Sequence, residues 1–306
     1  MSSSGSTRAI LAALFANAGI AVAKFIGFVI TGSSSMLAES VHSVADTSNQ
    51  ALLLFGQRRA RKDATSLHQF GYGRSRYFYS FVVALVLFSL GAAFALYEGY
   101  HKITHPTPLT SPMIAVAILV VAIGLESYSF RTAVVESRPL KGRGSWWLFI
   151  RHSRNPELPV VLLEDTGALL GLLLALLGVG LTVLTGNPIW DGIGTAAIGA
   201  LLAVIAVILM VEMHSLLIGE GATGEDYRAI EAALAATDNV DRVIHLRTQY
   251  LGPEEMLVGA KIALASGTDL TTVAAAIDAA EAAVRVAVPA ATVIYLEPDL
   301  DRSLSR

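Results

Sequence analysis

The chain has 306 residues, 54% of them hydrophobic and 15% charged, with a mean hydropathy of +0.58 and a formal net charge of −3. A soluble domain carries about 25% charged residues, so the composition argues against a soluble enzyme and for a multi-pass membrane protein. The small negative charge argues against a nucleic-acid partner, and the absence of cysteine excludes disulfides and thiolate metal sites.

A membrane span needs roughly 20 mostly apolar residues. In chain order, residues 8–31, 77–100, 113–135, 159–185 and 190–213 satisfy this directly. The first run reaches Thr31 with no small-residue cleavage site, so it reads as a membrane helix rather than a signal peptide. Residues 35–55 fail a plain hydropathy test because they hold Glu39, His42, Asp46, Asn49 and Gln50. Loop charges nevertheless require them to cross. The connection 56–76 carries Arg58, Arg59, Arg61, Lys62, Arg74 and Arg76, and the connection 136–157 carries Arg138, Lys141, Arg143, Arg151 and Arg154. Residues 32–35 and 185–188 carry no basic residue. Lysine and arginine favour cytoplasmic loops, and six spans with both termini inside satisfy that alternation where five do not.

After His214 the composition turns soluble. Residues 224–238 and 269–288 have helical spacing; 240–252, 256–265 and 291–298 read as strands. The expected architecture is an α-helical membrane protein of six transmembrane helices (1–213), followed by a cytoplasmic αββαβ domain of ferredoxin or metallochaperone type (214–306).

The polar residues of 35–55 carry the chemistry. His42 and Asp46 are four apart and stack on one helix face, with Asn49 one turn further along the same stripe. An ionisable side chain at the bilayer centre costs about 2.5–3.5 kcal/mol, so two on one stripe call for a compensating partner. A divalent cation is such a partner, and an imidazole plus a carboxylate is half of a tetrahedral site. The other half has to come from another helix. The remaining deep cluster is Glu164-Asp165, whose side chains point about 100° apart, so at most one aims squarely at a given neighbour. Glu126 is a further intramembrane carboxylate and Lys24 a partner for one of these acids. A structural hydrogen-bonded His–Asp pair is the bland alternative.

The stretches "MLAESVHSVADTSNQALLLFG", "HQFGYGRSRYFYSFV", "HLRTQYLG" and "VIYLEPD", with the six-plus-tail layout, resemble the cation diffusion facilitator family over nearly the whole chain. "RGSWWLFIRHSRNPELPVVLLEDTGALLG" and the Arg76-Tyr77 pair resemble its divergent branch that includes mitochondrial-type zinc transporters. The resemblance implies a homodimer in a lipid bilayer, the cell inner membrane, that exports Zn²⁺ in exchange for protons. It uses no prosthetic group and is not an enzyme. His42 and Asp46 match the second-span ligands and Asp165 the second ligand of the fifth span. Val161 stands where that span usually has its first ligand, which leaves Glu164, Asn49 or water to complete the shell. Such an oxygen-rich set keeps Mn²⁺, Fe²⁺ and Co²⁺ open as cargo, and a non-transporting metal sensor or scaffold remains the other reading. The family's loop site falls on Thr65, His68 and Tyr72, and Tyr295 replaces a tail histidine, so little or no metal is expected in the tail, which serves dimerisation.

Overall fold

The computed structural model describes residues 3–142, 144–265 and 267–300; Arg143, one of the basic residues of the 136–157 connection, lies outside the described residues. Two long helices open the chain, α1 (Ser3–Thr31) and α2 (Ser34–Ala60). Gly32 between them has φ +66°, a left-handed conformation that ends a helix without a Cβ penalty, and its N–H donates to Phe28 O at 2.7 Å. The next rod is continuous from Ser75 to Thr104: α3 (Ser75–Val86), a π-helical stretch (Leu87–Ala92) and α4 (Ala93–Thr104). Then come α5 (Pro112–Lys141), the short α6 (Trp146–His152), α7 (Glu157–Thr185) and α8 (Ile189–Ile218).

Among the described residues, four helices are long and apolar enough to cross a membrane: Ser75–Thr104, Pro112–Pro139, Glu157–Thr185 and Ile189–Ile218. Within α1, Asn17–Thr31 is a shorter apolar stretch. α2 falls short of that test for the reason visible in its sequence, and the fold resolves the conflict by orientation. Glu39, His42, Asp46 and Asn49 are all buried, while Val44 and Phe55 are about half exposed. Large apolar side chains elsewhere on the bundle, such as Val29, Val121, Leu177 and Val204, face outward, as a lipid-facing surface requires.

The 136–157 connection is more helical than its charges imply. α5 runs on to Lys141, and Ser145 caps α6, its hydroxyl accepting from Leu148 N at 3.1 Å. Ser N-caps satisfy otherwise orphaned amides; Arg138 and Lys141 sit in the last turns of α5 and Arg151 on α6.

One contact fixes the start of α2 on α8, and a second fixes α8 on α4. At the start of α2, the buried Asp191 of α8 accepts from Ser33 Oγ at 2.9 Å, Ser34 N at 2.8 Å and Ser35 N at 3.4 Å, and from Ser35 Oγ. A carboxylate from another helix thus caps the positive end of α2. α8 in turn touches α4 backbone to backbone: a Cβ on Gly199 would stand 2.6 Å from Leu96 N. Small residues permit that approach where lipid offers no hydrophobic drive between helices.

The chain divides into two compact units, one of residues up to Arg58 plus Arg76–His214, the other of Arg59–Ser75 plus residues from Ser215 on. In the second unit the order is α9 (Gly224–Ala235), β1 (Val240–Gly252), β2 (Glu255–Leu264), α10 (Leu270–Ala287) and β3 (Ala291–Leu300), the expected αββαβ. β1 and β2 are antiparallel, with Tyr250 opposite Met256; β2 and β3 are parallel. Ile230 and Leu234 of α9 and Ala280 and Val284 of α10 share one core with Leu246, Met256, Val258 and Ile294. The segment 59–75 packs on this unit so closely that a Cβ on Gly252 would stand 2.9 Å from Gly73 Cα.

Asp269 caps α10, accepting from Thr272 Oγ1 at 2.8 Å, Thr272 N at 3.0 Å and Thr271 N at 2.9 Å. These bonds, Thr272's first, hold its carboxyl below the usual range. A depressed carboxyl contributes stability that is full above the unfolded value of about 3.9 and is lost as pH falls through the folded value. Asp269→Ala is therefore expected to speed amide exchange in the first turn of α10 near neutral pH, with the difference from the parent vanishing in acid. For the bundle, Asp191→Ala strips a buried charged acceptor from four donors. It is expected to lower stability by about 3 kcal/mol, read from thermal unfolding in detergent, with Asp191→Asn less affected.

Candidate metal centre

The polar stripe of α2 is buried but only partly satisfied. His42 Nδ1 lies 3.6 Å from Asp46 Oδ1, longer than a hydrogen bond. Among the described residues, both ring nitrogens of His42, Asp46 Oδ1, Asn49 Oδ1 and Gln50 Oε1 have no hydrogen-bond partner. An unmet buried polar group costs about 1–3 kcal/mol, so a stripe of five is chemically meaningful: one imidazole and three oxygen donors on successive turns of one helix.

α7 faces this stripe. Asn49 Nδ2 donates to Glu164 Oε1 at 2.7 Å, which brings a carboxylate of α7 to the turn below Asp46. Asp165, about 100° further round α7, turns to α5 and accepts from Ser129 Oγ at 3.1 Å. The structure thus brings together His42, Asp46, Asn49 and Glu164, and sets Asp165 one helix away. Val161, a turn before Asp165, offers no donor. No three His, Asp or Glu side chains among the described residues already stand close enough to hold a metal ion, so enclosing a cation requires the helices to draw together.

The surrounding shell contains features that sequence reading did not reach. The π-helical stretch passes beside the histidine: a Cβ on Gly91 would stand 3.9 Å from His42 Nδ1 and 3.2 Å from Leu202. Single π-turns commonly re-aim backbone at functional sites, and only Ser89 and Gly91 hint at this one. Lys24 pairs with Glu39 at 3.1 Å and donates to Ser43 Oγ at 2.9 Å, rather than pairing with Glu126. Ser129 as the partner of Asp165 leaves no signal in the sequence. Thr47 and Thr166 donate to the carbonyls of Ser43 and Leu162, at 2.9 and 2.6 Å, so both serve the backbone rather than the acids beside them.

Outside the bundle, Thr65 Oγ1 lies 3.4 Å from Tyr72 OH, and the His68 ring meets the Tyr72 ring edge-on at 4.6 Å. The three residues of the family's loop site therefore meet, with a single imidazole among them. In the sheet, His245 stands opposite Lys261, which stands opposite Glu297. Lys261 Nζ reaches Glu297 at 2.9 Å and Asp299 at 3.0 Å, and these bonds, Glu297's first, raise it above its ordinary value.

The geometry can be set beside known proteins. The profile of the cation efflux transmembrane domain matches residues 10–218. The chain is 32% identical over 231 residues to the Homo sapiens protein named proton-coupled zinc antiporter SLC30A9, mitochondrial, covering 75% of this chain and 41% of that protein. It is 29% identical over 261 residues to metal tolerance protein C4 of Arabidopsis thaliana, covering 84% of this chain and 57% of that one. Similarity to the zinc transporter ZitB of Pectobacterium atrosepticum is 34% over 116 residues, 38% of this chain and 36% of the relative. The chain thus spans about two-fifths to three-fifths of the length of the first two. The family profile covers α2 and α7 together with the rest of the bundle, and this chain belongs to the cation efflux, or cation diffusion facilitator, family, in a branch resembling the mitochondrial-type zinc transporters.

Proposed function

We propose that the protein moves a divalent transition-metal cation, Zn²⁺ foremost, out across a membrane in exchange for protons. The observation that carries this reading is the row of buried ligand atoms on α2 without a hydrogen-bond partner, both His42 ring nitrogens, Asp46 Oδ1 and Asn49 Oδ1, with Glu164 of α7 bonded to the Asn49 amide beside them. A cation drawn between these helices gains an imidazole nitrogen and carboxylate oxygens, a set that suits Zn²⁺. The names of the similar proteins, a zinc antiporter and a zinc transporter, support the choice of cargo. The preponderance of oxygen over nitrogen makes Mn²⁺, Fe²⁺ and Co²⁺ the competing cargoes.

Proton exchange follows from the ligand chemistry. Metal binding needs a neutral imidazole and ionised carboxylates, so loading releases protons. Asp46 and Glu164 are the carboxyl groups from which the cargo would displace protons. If the site reloads with protons on the far side, a proton gradient drives extrusion, and rocking of helices around the fixed site gives alternating access. With Val161 unable to ligate, Glu164 supplies the α7 donor, and rotation of α7 exchanges it for Asp165.

The remaining assignments belong to the same reading. Six crossings place both termini in the cytoplasm of a cell whose inner membrane holds the protein. Residues 214–306 serve dimerisation in this reading, and Lys261 engages Glu297 and Asp299, which supports little or no metal binding by those carboxylates.

In proteoliposomes under an imposed pH gradient, Zn²⁺ uptake is expected to exceed that of Mn²⁺ and Co²⁺, to vanish when the gradient is collapsed, and to be abolished by Asp46→Ala. Folded protein that moves no metal would contradict transport and leave a sensor or scaffold. Glu164→Gln, which keeps the amide-compatible shape but loses the charge, is expected to weaken Zn²⁺ binding roughly 10- to 100-fold by calorimetry; unchanged affinity would remove Glu164 from the shell.

A further inference from the structure

The cargo site has a neighbour that is built like part of it. Lys24 of α1 is 0% exposed, and its ammonium donates to Glu39 Oε2 at 3.1 Å and to Ser43 Oγ at 2.9 Å, both on α2. Glu39 is also 0% exposed and precedes His42 by three residues, which puts the two on adjacent turns of the same helix side. Its second oxygen, Oε1, has no hydrogen-bond partner among the described residues. That oxygen points at α7, where it fits because Gly171 has no side chain: a Cβ there would stand 2.5 Å from it.

Glu39 therefore has what a cargo ligand needs: a buried carboxylate, one unpartnered oxygen, a place beside His42, and a gap toward α7. A free carboxylate there is a strong oxygen donor for a divalent cation. Asp46 and Glu164 already bring two negative charges, the number that balances a divalent ion. A third would deepen the binding well, and a conducting site must hold its ion weakly enough to let it leave. Lys24 meets Glu39 with a tethered positive charge.

We propose that Lys24 is a positioning residue that withholds Glu39 from the cargo, limits the site to two carboxylates, and so sets its affinity at a releasable level. A purely structural tie between α1 and α2 makes a different prediction, because breaking a tie does not tighten metal binding.

The inference rests on the reading of His42 and Asp46 as cargo ligands, and one experiment separates the two. Zn²⁺ affinity is measured by calorimetry in detergent and Zn²⁺ uptake in proteoliposomes, for the parent, Lys24→Met, Glu39→Gln, the double variant and Asp46→Ala. Lys24→Met is expected to bind roughly tenfold tighter, with KM and maximal rate both falling, because Glu39 joins the shell. Glu39→Gln, which leaves an unpaired ammonium near the cargo, is expected to bind roughly tenfold weaker. The double variant, with both charges gone, is expected within about threefold of the parent. Unchanged or weaker binding by folded Lys24→Met overturns the proposal. So does a double variant as weak as Glu39→Gln, which would make Glu39 itself a ligand in the parent. Should Lys24→Met not fold, Glu39→Gln and the double variant decide on the same terms, and an unchanged affinity in Glu39→Gln overturns it. Zn²⁺ affinity untouched by Asp46→Ala overturns the cargo reading instead.

Discussion

A polar atom inside a bundle surrounded by lipid has no water to turn to, and in this protein that constraint falls most heavily on α2. The helix carries Glu39, His42, Asp46 and Asn49, all buried. Its sequence is too polar to enter a membrane on its own account and too polar to sit against lipid. It is stable only where other helices bring partners, and the arrangement of those partners orders the bundle. Asp191 of α8 holds its first turn, Lys24 of α1 holds Glu39, and Glu164 of α7 meets Asn49.

What these partners leave over is as informative as what they satisfy. Every acceptor of Asp191's side chain is used, and Lys24 finds two oxygens. Along the same helix, Glu39 Oε1, both ring nitrogens of His42, Asp46 Oδ1, Asn49 Oδ1 and Gln50 Oε1 have no hydrogen-bond partner among the described residues. That run of unmet polar atoms, with His42 and Asp46 at its middle, is where the proposed chemistry is centred. The π-helical turn at Gly91 lies at the same level. So does the choice between Glu164 and Asp165, two carboxyl groups on successive residues of α7 that face different helices.

Much of this was legible in the sequence, for identifiable reasons. The four apolar rods and the αββαβ tail follow from run length and periodicity, signals that lie within single segments. The His42–Asp46–Asn49 stripe follows from helical spacing alone. The rest depends on contacts between segments far apart in the chain. Asp191 meets Ser33–Ser35 across more than 150 residues, and nothing local in either stretch announces the other. Lys24 was open to several acids, and only the packing of α1 on α2 selects Glu39 over Glu126. Adjacent carboxyl groups at 164 and 165 had to diverge, but which one faced α2 depended on the rotation of α7. The helical turns at 146–152 were hidden by the basic residues they carry, since charge marks a connection without specifying its backbone.

The central claim is that the cargo sits between α2 and α7, held by one imidazole and a majority of oxygens. X-ray absorption at the zinc edge of the Zn²⁺-loaded protein tests it directly, since the chain has no cysteine to confuse the shell. The account predicts a single histidine nitrogen at about 2.0–2.1 Å among oxygen ligands at about 2.0–2.2 Å, with the imidazole signature lost in His42→Gln. A shell with two or more imidazoles, or one unchanged by His42→Gln, would place the metal elsewhere and contradict it.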